Sequence, residues 1–581
     1  MIATVIPAIR TPRGVDAFDY LVPESMSVGV GDLVRIPFRT SNIVGVVSSV
    51  SHEVNANRKL KPLDSSYGDL KLDKRTVKLL FAAAARSISS PPNVLHAWLG
   101  TLPKKAKPAS IPARQSLLLP ISEQHLMTNH WLGQNGIVAT AKRAASEKKR
   151  VLVITPWASR AVWLAERIGA ELLTSQRSAG DRFRAWSGFI RGTKHALVCT
   201  RIGAWLSTEA DLVILDEPEN DDHKQDELAP RYDARWIAEQ AHELGASLVT
   251  FGLTPRLQDP PPTAHRPPPT ISTSLVTVDI HRADWSPISG LQRRTVNELE
   301  HARDEKRPIF IIHPIHGDRA RLRCADCGWL AECERCGAGL TAGENGLLCS
   351  RCHFRTEMKM TCPSCGGTDL SRARPGRNRI MRDLVAHGYM TGTSVLPLGE
   401  WNDKTDLPPH ALVIVTDLAL LPGAGEDIRR KERLIVAFRR IADICASSDA
   451  SLVIQSDPAL IADAKAWLTS EGCTQALKRE QLEREQFQLP PSVRLVKCIL
   501  KGTEDDMKRK VQELTFAFNE LRDAKTAGPF PVLFRTHSRL PRWIAHVMVP
   551  ADTKDDVIRK YLLPVLSLDD LVDLDPIAFF E

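Results

Sequence analysis

CADCGWLAECERCGAGLTAGENGLLCSRCHFRTEMKMTCPSCGG, residues 324–367, carries four Cys-x-x-Cys pairs: Cys324/Cys327, Cys333/Cys336, Cys349/Cys352 and Cys362/Cys365. Two intervening residues let one turn bring both thiolates to about 2.3 Å from a tetrahedral zinc ion, with backbone N–H groups turned toward the sulfurs. Four pairs therefore predict two zinc ions. In a nested arrangement Cys333/Cys336 and Cys349/Cys352 make an inner site, and Cys324/Cys327 with Cys362/Cys365 an outer one. Pairing first with second and third with fourth is the other topology the spacing permits. Iron–sulfur clusters also take four cysteines, but at different common spacings. Sites whose ligands are all thiolate are closed and structural. His353, beside Cys352, reads as a surface or supporting group. The remaining cysteines, Cys199, Cys445, Cys473 and Cys498, stand in apolar runs and read as buried thiols. This is metal-binding usage in a reducing compartment, not a disulfide framework.

The cysteine element interrupts an α/β pattern. RPIFIIHP (307–314) precedes it; a helix near 377–387, TSVLPL (393–398), ALVIVTD (411–417) and ASLVIQS (450–456) follow. Further upstream, VLVITP (151–156), HALVCT (195–200), ADLVILDE (210–217) and SLVTFG (247–252) alternate with helical segments, one of them over 137–149. Short, nearly continuous apolar strands between helices predict mostly parallel sheets covered on both faces. Residues 1–72 read as β-rich, and 73–103 as helical, with Val77, Leu80, Phe81 and Ala84 on one face. The expected multidomain α/β division is 1–103, a basic linker at 104–120, α/β units at 121–300 and 301–476 with the cysteine insert at 322–368, and an α+β domain at 477–581.

A chain of 581 residues is too long for one core. Its 43% hydrophobic and 25% charged residues are ordinary for a globular protein, and its formal charge of +8 suits a polyanionic partner. The start, MIATVIPAIRTPRGVDAF, lacks the features of a secretory signal, and no run of eighteen uncharged apolar residues predicts a membrane span. Cytoplasmic residence is expected.

With its Gly328 and Trp329, the cysteine phrase resembles the diagnostic insert of bacterial PriA, the primosomal replication-restart family, in particular its divergent actinobacterial members. That family places the insert in its second superfamily 2 helicase (RecA-like) lobe and pairs the cysteines in the nested way. DAFDYLVPE (16–24), VGDLVRIPF (30–38) and IVGVV (43–47) resemble its N-terminal domain, which holds the 3′ end of a nascent strand. The resemblance implies that Asp19 contacts the terminal sugar hydroxyl and that Phe18, Tyr20 and Lys61 lie near the same pocket. From the residues alone, Phe18 and Tyr20 read as core aromatics and Asp19 as a turn residue. Family members usually carry a winged helix before the motor; the gap at 104–120 is too short for one.

The motor motifs depart from the family. Its Gly-Lys-Thr phosphate element should precede VLVITP, but MTNHWLGQNGIVATAKRAA (127–145) keeps only Gly133 and Gly136, and reads as a turn before a helix. LVILDEPE (212–219) leaves Asp216 and Glu217 at a strand end as remnants of the metal-coordinating and water-orienting carboxylates. Pro218 and Glu219 replace Glu and His, and GLTP (252–255) replaces Ser-Ala-Thr-Pro. Lys224, Gln225, Arg231, Tyr232 and Arg235 match the family's next run, while Arg439 and Arg440 stand where its arginine finger is expected. The resemblance therefore implies a nucleoid-associated replication-restart factor that binds branched DNA and its 3′ end without motor activity. Its expected partners are primosome proteins, the replicative helicase loading machinery and single-strand DNA-binding protein. ATP with Mg²⁺ is the family's cofactor, and a divergent ATP-dependent 3′–5′ helicase is the alternative; a zinc-dependent protein scaffold is a third.

Overall fold

A computed structural model describes residues 1–52, 60–99, 122–257, 268–315, 320–421, 428–532 and 541–579, apart from 129, 282, 283, 285, 374, 403–405, 568, 569 and several positions between 325 and 359. The linker expected at 104–120, and the missing winged helix inferred from it, lie outside these residues.

Ile2–Pro7, Phe18–Leu21, Asp32–Phe38, Ser41–Ser51 and Ser65–Lys71 form an antiparallel sheet. Strand alternation divides its apolar residues between two faces. Val5, Val34, Ile36 and Val47 pack together on one. Ile6, Leu33 and Val46 pack on the other against the helices Lys74–Arg86 and Pro91–Leu99. The first helix is capped by Asp73, which accepts the Arg75 N–H at 2.9 Å. It buries Val77, Leu79, Leu80, Ala83 and Ala84, while Phe81, expected on that face, is 43% exposed. Trp98 meets Trp186 and Trp205 at 6.4 and 6.5 Å, so this unit shares a continuous core with the next.

Two parallel sheets follow, the RecA-like lobes. The first runs in the order Glu123–Met127, Ser247–Gly252, Leu212–Asp216, Val151–Ile154, Ala196–Cys199, Glu171–Leu173. The second runs Ser274–Asp279, Ser451–Ser456, Leu412–Val415, Ile309–Ile312, Thr393–Leu396. VLVI and LVIV are buried at every position, as strands covered on both faces must be. The sheet division falls ahead of the 300/301 boundary read from sequence, because Ser274–Asp279 pairs with Ser451–Ser456 and the helix Arg293–Asp304 packs beneath that second sheet.

The cysteine insert is a small antiparallel sheet within the second lobe, ordered Arg355–Thr356, Gly346–Cys349, Leu340–Gly343, Ala320–Cys324, Leu370–Ala373. The C-terminal unit is an antiparallel sheet of Lys525–Pro531, Arg542–Pro550, Val493–Lys501 and Leu571–Leu574, covered by the helices Glu504–Phe518 and Asp555–Leu562. No described helix is long and apolar enough to cross a membrane.

Candidate functional site

Among the described residues, Cys324, Cys327, Cys362 and Cys365 gather with their sulfurs all within 4.8 Å of one another. Sγ–Sγ distances are 3.6 Å for Cys324–Cys365 and 3.7 Å for Cys327–Cys362. A zinc tetrahedron with ~2.3 Å bonds has edges of ~3.8 Å, so the donor set fits zinc. The Ser364 and Gly367 N–H groups donate to the Cys362 and Cys365 sulfurs at 3.4 Å, the turn geometry that steadies thiolate charge. The first pair thus closes on the fourth, not on the second. The cause is topological: Ala320–Cys324 pairs with Leu370–Ala373, which draws the two ends of the insert together. Of the expected inner site, Cys333 and Cys349 are buried, while Cys336 and Cys352 lie outside the described residues.

The residues expected at the 3′-end pocket divide between two faces of one strand. Along Phe18–Leu21, Tyr20 is buried and Phe18 half-buried, packed edge-on to Phe38 at 5.5 Å. Asp19 points to the opposite, exposed side, where its Oδ1 accepts the Thr4 hydroxyl at 2.9 Å. Lys61 is exposed, and its carbonyl accepts the Leu21 N–H at 2.9 Å, which places it beside the same strand. Asp19 and Lys61 thus lie on the exposed side of the strand; Tyr20 is buried in the core.

The cleft between the lobes carries the larger surprise. Asp216 ends its strand and accepts from Thr155 Oγ1 at 2.8 Å. Arg160, in the first turn of the helix Ala158–Ile168, embraces the same carboxylate through Nε and Nη2, the latter at 2.8 Å. Both side chains are essentially buried, at 2% and 1% exposure. Burial alone would loosen the Arg160 proton, but Asp216 outweighs it, and the guanidinium stays charged. Glu217, turned aside by a left-handed backbone (φ 49°), lies 3.9 Å from Arg160 and is bound by Arg440 of the second lobe. Arg440 also donates to the Asn402 carbonyl at 3.1 Å and lies 3.9 Å over the Trp157 ring.

Two departures at Glu219 and Gly252 fit each other. Glu219 accepts the N–H groups of Leu253 and Thr254 at 2.7 and 3.1 Å, and burial, reinforced by Glu217, pushes its carboxyl up to about 8. A Cβ at Gly252 would come within 2.9 Å of Glu219 Oε2, so glycine here gives the carboxylate its room. Gly136 is likewise a packing residue, because a Cβ there would meet Phe251 at 2.7 Å. It sits inside the helix His130–Ser146, which begins earlier than expected and takes in both Gly133 and Gly136 in place of a turn. The cavity lined by Thr128, Arg160, Asp216, Glu217, Glu219 and Arg440 measures about 30 Å³, space for a water or two. Pockets for small molecules typically measure ~300–1,000 Å³. The carboxylate expected to hold the metal is held here by an arginine.

The run 221–235 turns toward its own chain. Lys224 Nζ lies 2.8 Å from Asp573 and donates to the Leu574 carbonyl at 2.8 Å, and Arg231 reaches Asp573 at 3.3 Å. Tyr232 packs on Trp205 at 4.8 Å, and Arg235 pairs with Asp233. Asp221 binds Arg429 at 2.7 Å and Arg433 at 2.8 Å, and these hold its carboxyl down at about 2 although burial alone would raise it. Sequence reading missed Arg160. The available signal was an arginine beside the inward stripe of Ala161, Leu164, Ala165 and Ile168.

Residues 8–100 match the family described as 3'DNA-binding domain (3'BD), PriA_3primeBD. The chain is 22% identical over 554 residues to the replication restart protein PriA of Synechocystis sp., covering 81% of this chain and 64% of that protein. It is 21% identical over 650 residues to the replication restart protein PriA of Rickettsia felis, covering 97% of this chain and 98% of that one. With the same coverage it is 21% identical over 657 residues to the replication restart protein PriA of Rickettsia conorii. The match to the 3′ DNA-binding domain family falls on the N-terminal sheet and its two helices. The chain is homologous to the bacterial PriA proteins.

Proposed function

We propose that the chain is a replication-restart factor that binds branched DNA, such as stalled forks and D-loops, and reads its 3′ end without motor activity. The observation that carries the non-motor part is the bidentate Arg160–Asp216 pair inside a cavity of about 30 Å³. The DNA part rests on the matched 3′ DNA-binding family over residues 8–100 and on the exposed Asp19. A carboxylate can accept from a terminal sugar hydroxyl, and the neighbouring Lys61 can meet phosphate. In this reading the degenerate lobes are a frame for DNA and for primosome proteins, the replicative helicase loading machinery and single-strand DNA-binding protein. The chain works on the nucleoid in the cytoplasm, as a divergent member of the actinobacterial type. Two zinc ions hold the insert in shape, the second on Cys333, Cys336, Cys349 and Cys352.

A motor reading keeps one observation, the reach of Arg440 from the second lobe to Glu217, where an arginine finger would act. It requires Arg160 to leave Asp216. The test is fork binding and ATP hydrolysis by zinc-loaded protein in one reaction. Tight fork binding without turnover is expected. A charge-assisted hydrogen bond is worth ~1.5–3 kcal/mol, so Asp19→Ala should weaken binding of forks with a 3′-hydroxyl by ~10–100-fold and spare forks blocked at that end. Fork-stimulated hydrolysis abolished by Asp216→Asn would instead make the protein a helicase.

A further inference from the structure

We propose that the two lobes are latched shut by the chain's own arginines, so that the cleft keeps one closed geometry whether or not nucleotide is offered. This deepens the non-motor reading above and rests on it.

In a nucleotide-driven motor the triphosphate is what joins the lobes: one lobe cradles it and an arginine of the other reaches its developing charge. Here arginine and carboxylate meet directly. Arg440, from the helix Arg430–Ser447, binds Glu217 of the first lobe, and the Asn402 carbonyl holds its other arm. At the residue just before that helix and in its first turn, Arg429 and Arg433 bind Asp221, again of the first lobe, at 2.7 and 2.8 Å. Arg439, next to Arg440, donates to the Pro269 carbonyl at 2.7 Å and lies 3.3 Å from Thr254 Oγ1. At the rim, Trp163 Nε1 donates to Asp406 at 3.1 Å.

The contacts are spread along the interface, so hinging about any one of them strains the others. Opening would break these ion pairs and part Glu217 and Asp221 from their cross-lobe cations. Arg160 completes the arrangement. It neutralises Asp216 from within the first lobe, so closure brings no repulsion between carboxylates that a metal would otherwise have to quench. The latch also reaches a third unit, since Arg433 donates to the Ile577 carbonyl of the C-terminal segment. Lys224 and Arg231 fasten the first lobe to Asp573 of that segment.

The measurement is the distance between nitroxides on Lys142 and Asn297, exposed positions on helices of the first and second lobe. They are attached through a genetically encoded keto amino acid, which spares the cysteines, and read by pulsed electron paramagnetic resonance. One narrow distance population is expected, with any open minority below roughly 10%, unmoved by millimolar Mg²⁺-ATP. Arg440→Ala combined with Asp221→Ala should broaden it toward longer distances. Two populations in the unsubstituted protein, or a shortening on addition of Mg²⁺-ATP, would overturn the latch. So would a double variant as narrow as the parent. The unsubstituted measurement decides even where the variant does not fold. Fork affinity is read on the same sample without ATP. Open lobes with intact fork binding sink the latch alone, whereas one closed distance without fork binding sinks the functional reading alone.

Discussion

Replacing Arg160 by methionine leaves Asp216 buried and without its cation, and the size of that loss follows from the geometry. Two hydrogen bonds join the pair, both side chains are nearly solvent-free, and Thr155 supplies the carboxylate's other donor. Charges ~4 Å apart at an effective dielectric of ~20 attract by ~4 kcal/mol. Breaking a buried pair from one side typically costs ~3–5 kcal/mol. Spread over a lobe of this size, where ~1 kcal/mol moves a midpoint by ~2–4 °C, the expected drop is about 10 °C. Removing both charges should recover most of it, because a neutral pair carries no stranded ion. The assay is thermal unfolding followed by tryptophan fluorescence for Arg160→Met, Asp216→Asn and the double variant. Coupling of ~2–4 kcal/mol between the substitutions is expected. A single variant within ~1 kcal/mol of the parent, or losses that simply add, would refute the argument that this arginine stands in for a metal.

Further outcomes follow from the same geometry. Glu219 is raised to about 8 in the folded chain from an ordinary value near 4.5, so the native state binds the extra proton between them. Stability should therefore fall as pH rises from about 4.5 to about 8, and Glu219→Gln should flatten the profile in that window by up to a few kcal/mol in urea titrations. Zinc released by a mercurial and counted with a chromogenic chelator should amount to two equivalents, and to one in Cys324→Ser; two from both proteins would mean that this cysteine is no ligand. Asp573→Ala strands the buried Lys224, 3% exposed, and should destabilise the C-terminal unit by ~3–5 kcal/mol with earlier proteolysis there; an unchanged cleavage pattern would show that this anchor is dispensable.

Much of the fold was legible because its signals are local. VLVI and LVIV declare strands covered on both faces, and a Cys-x-x-Cys pair declares half a metal site. Which halves join is decided by strand pairing outside the motif, and spacing left two topologies open. Phe18 and Asp19 stand side by side in the motif, and strand alternation, which the motif does not announce, sends them to opposite faces. Beside its apolar stripe Arg160 could be read as buried, but its partner lies 56 residues away and neither local stretch announces the pairing. Gly133 and Gly136 suggested a turn because glycine is a poor helix former; the close approach of Phe251 outweighs that propensity at Gly136. The matched run at 224–235 was legible as sequence, but its attachment to Asp573 was not.

The insert leaves and rejoins its lobe at one place, and this makes it a removable cassette. Cys324 lies opposite Leu370, the Arg377 N–H donates to the Ile315 carbonyl at 2.8 Å, and the His313 ring meets the Pro375 carbonyl at 2.7 Å. The lobe's own backbone thus clasps the base of the cassette before any sulfur is engaged. Its end strands, Ala320–Cys324 and Leu370–Ala373, stand side by side at the ~5 Å separation of an antiparallel pair. Such a base lets the cassette lengthen, shrink or change its surface over evolutionary time while the parallel sheet beneath it folds undisturbed.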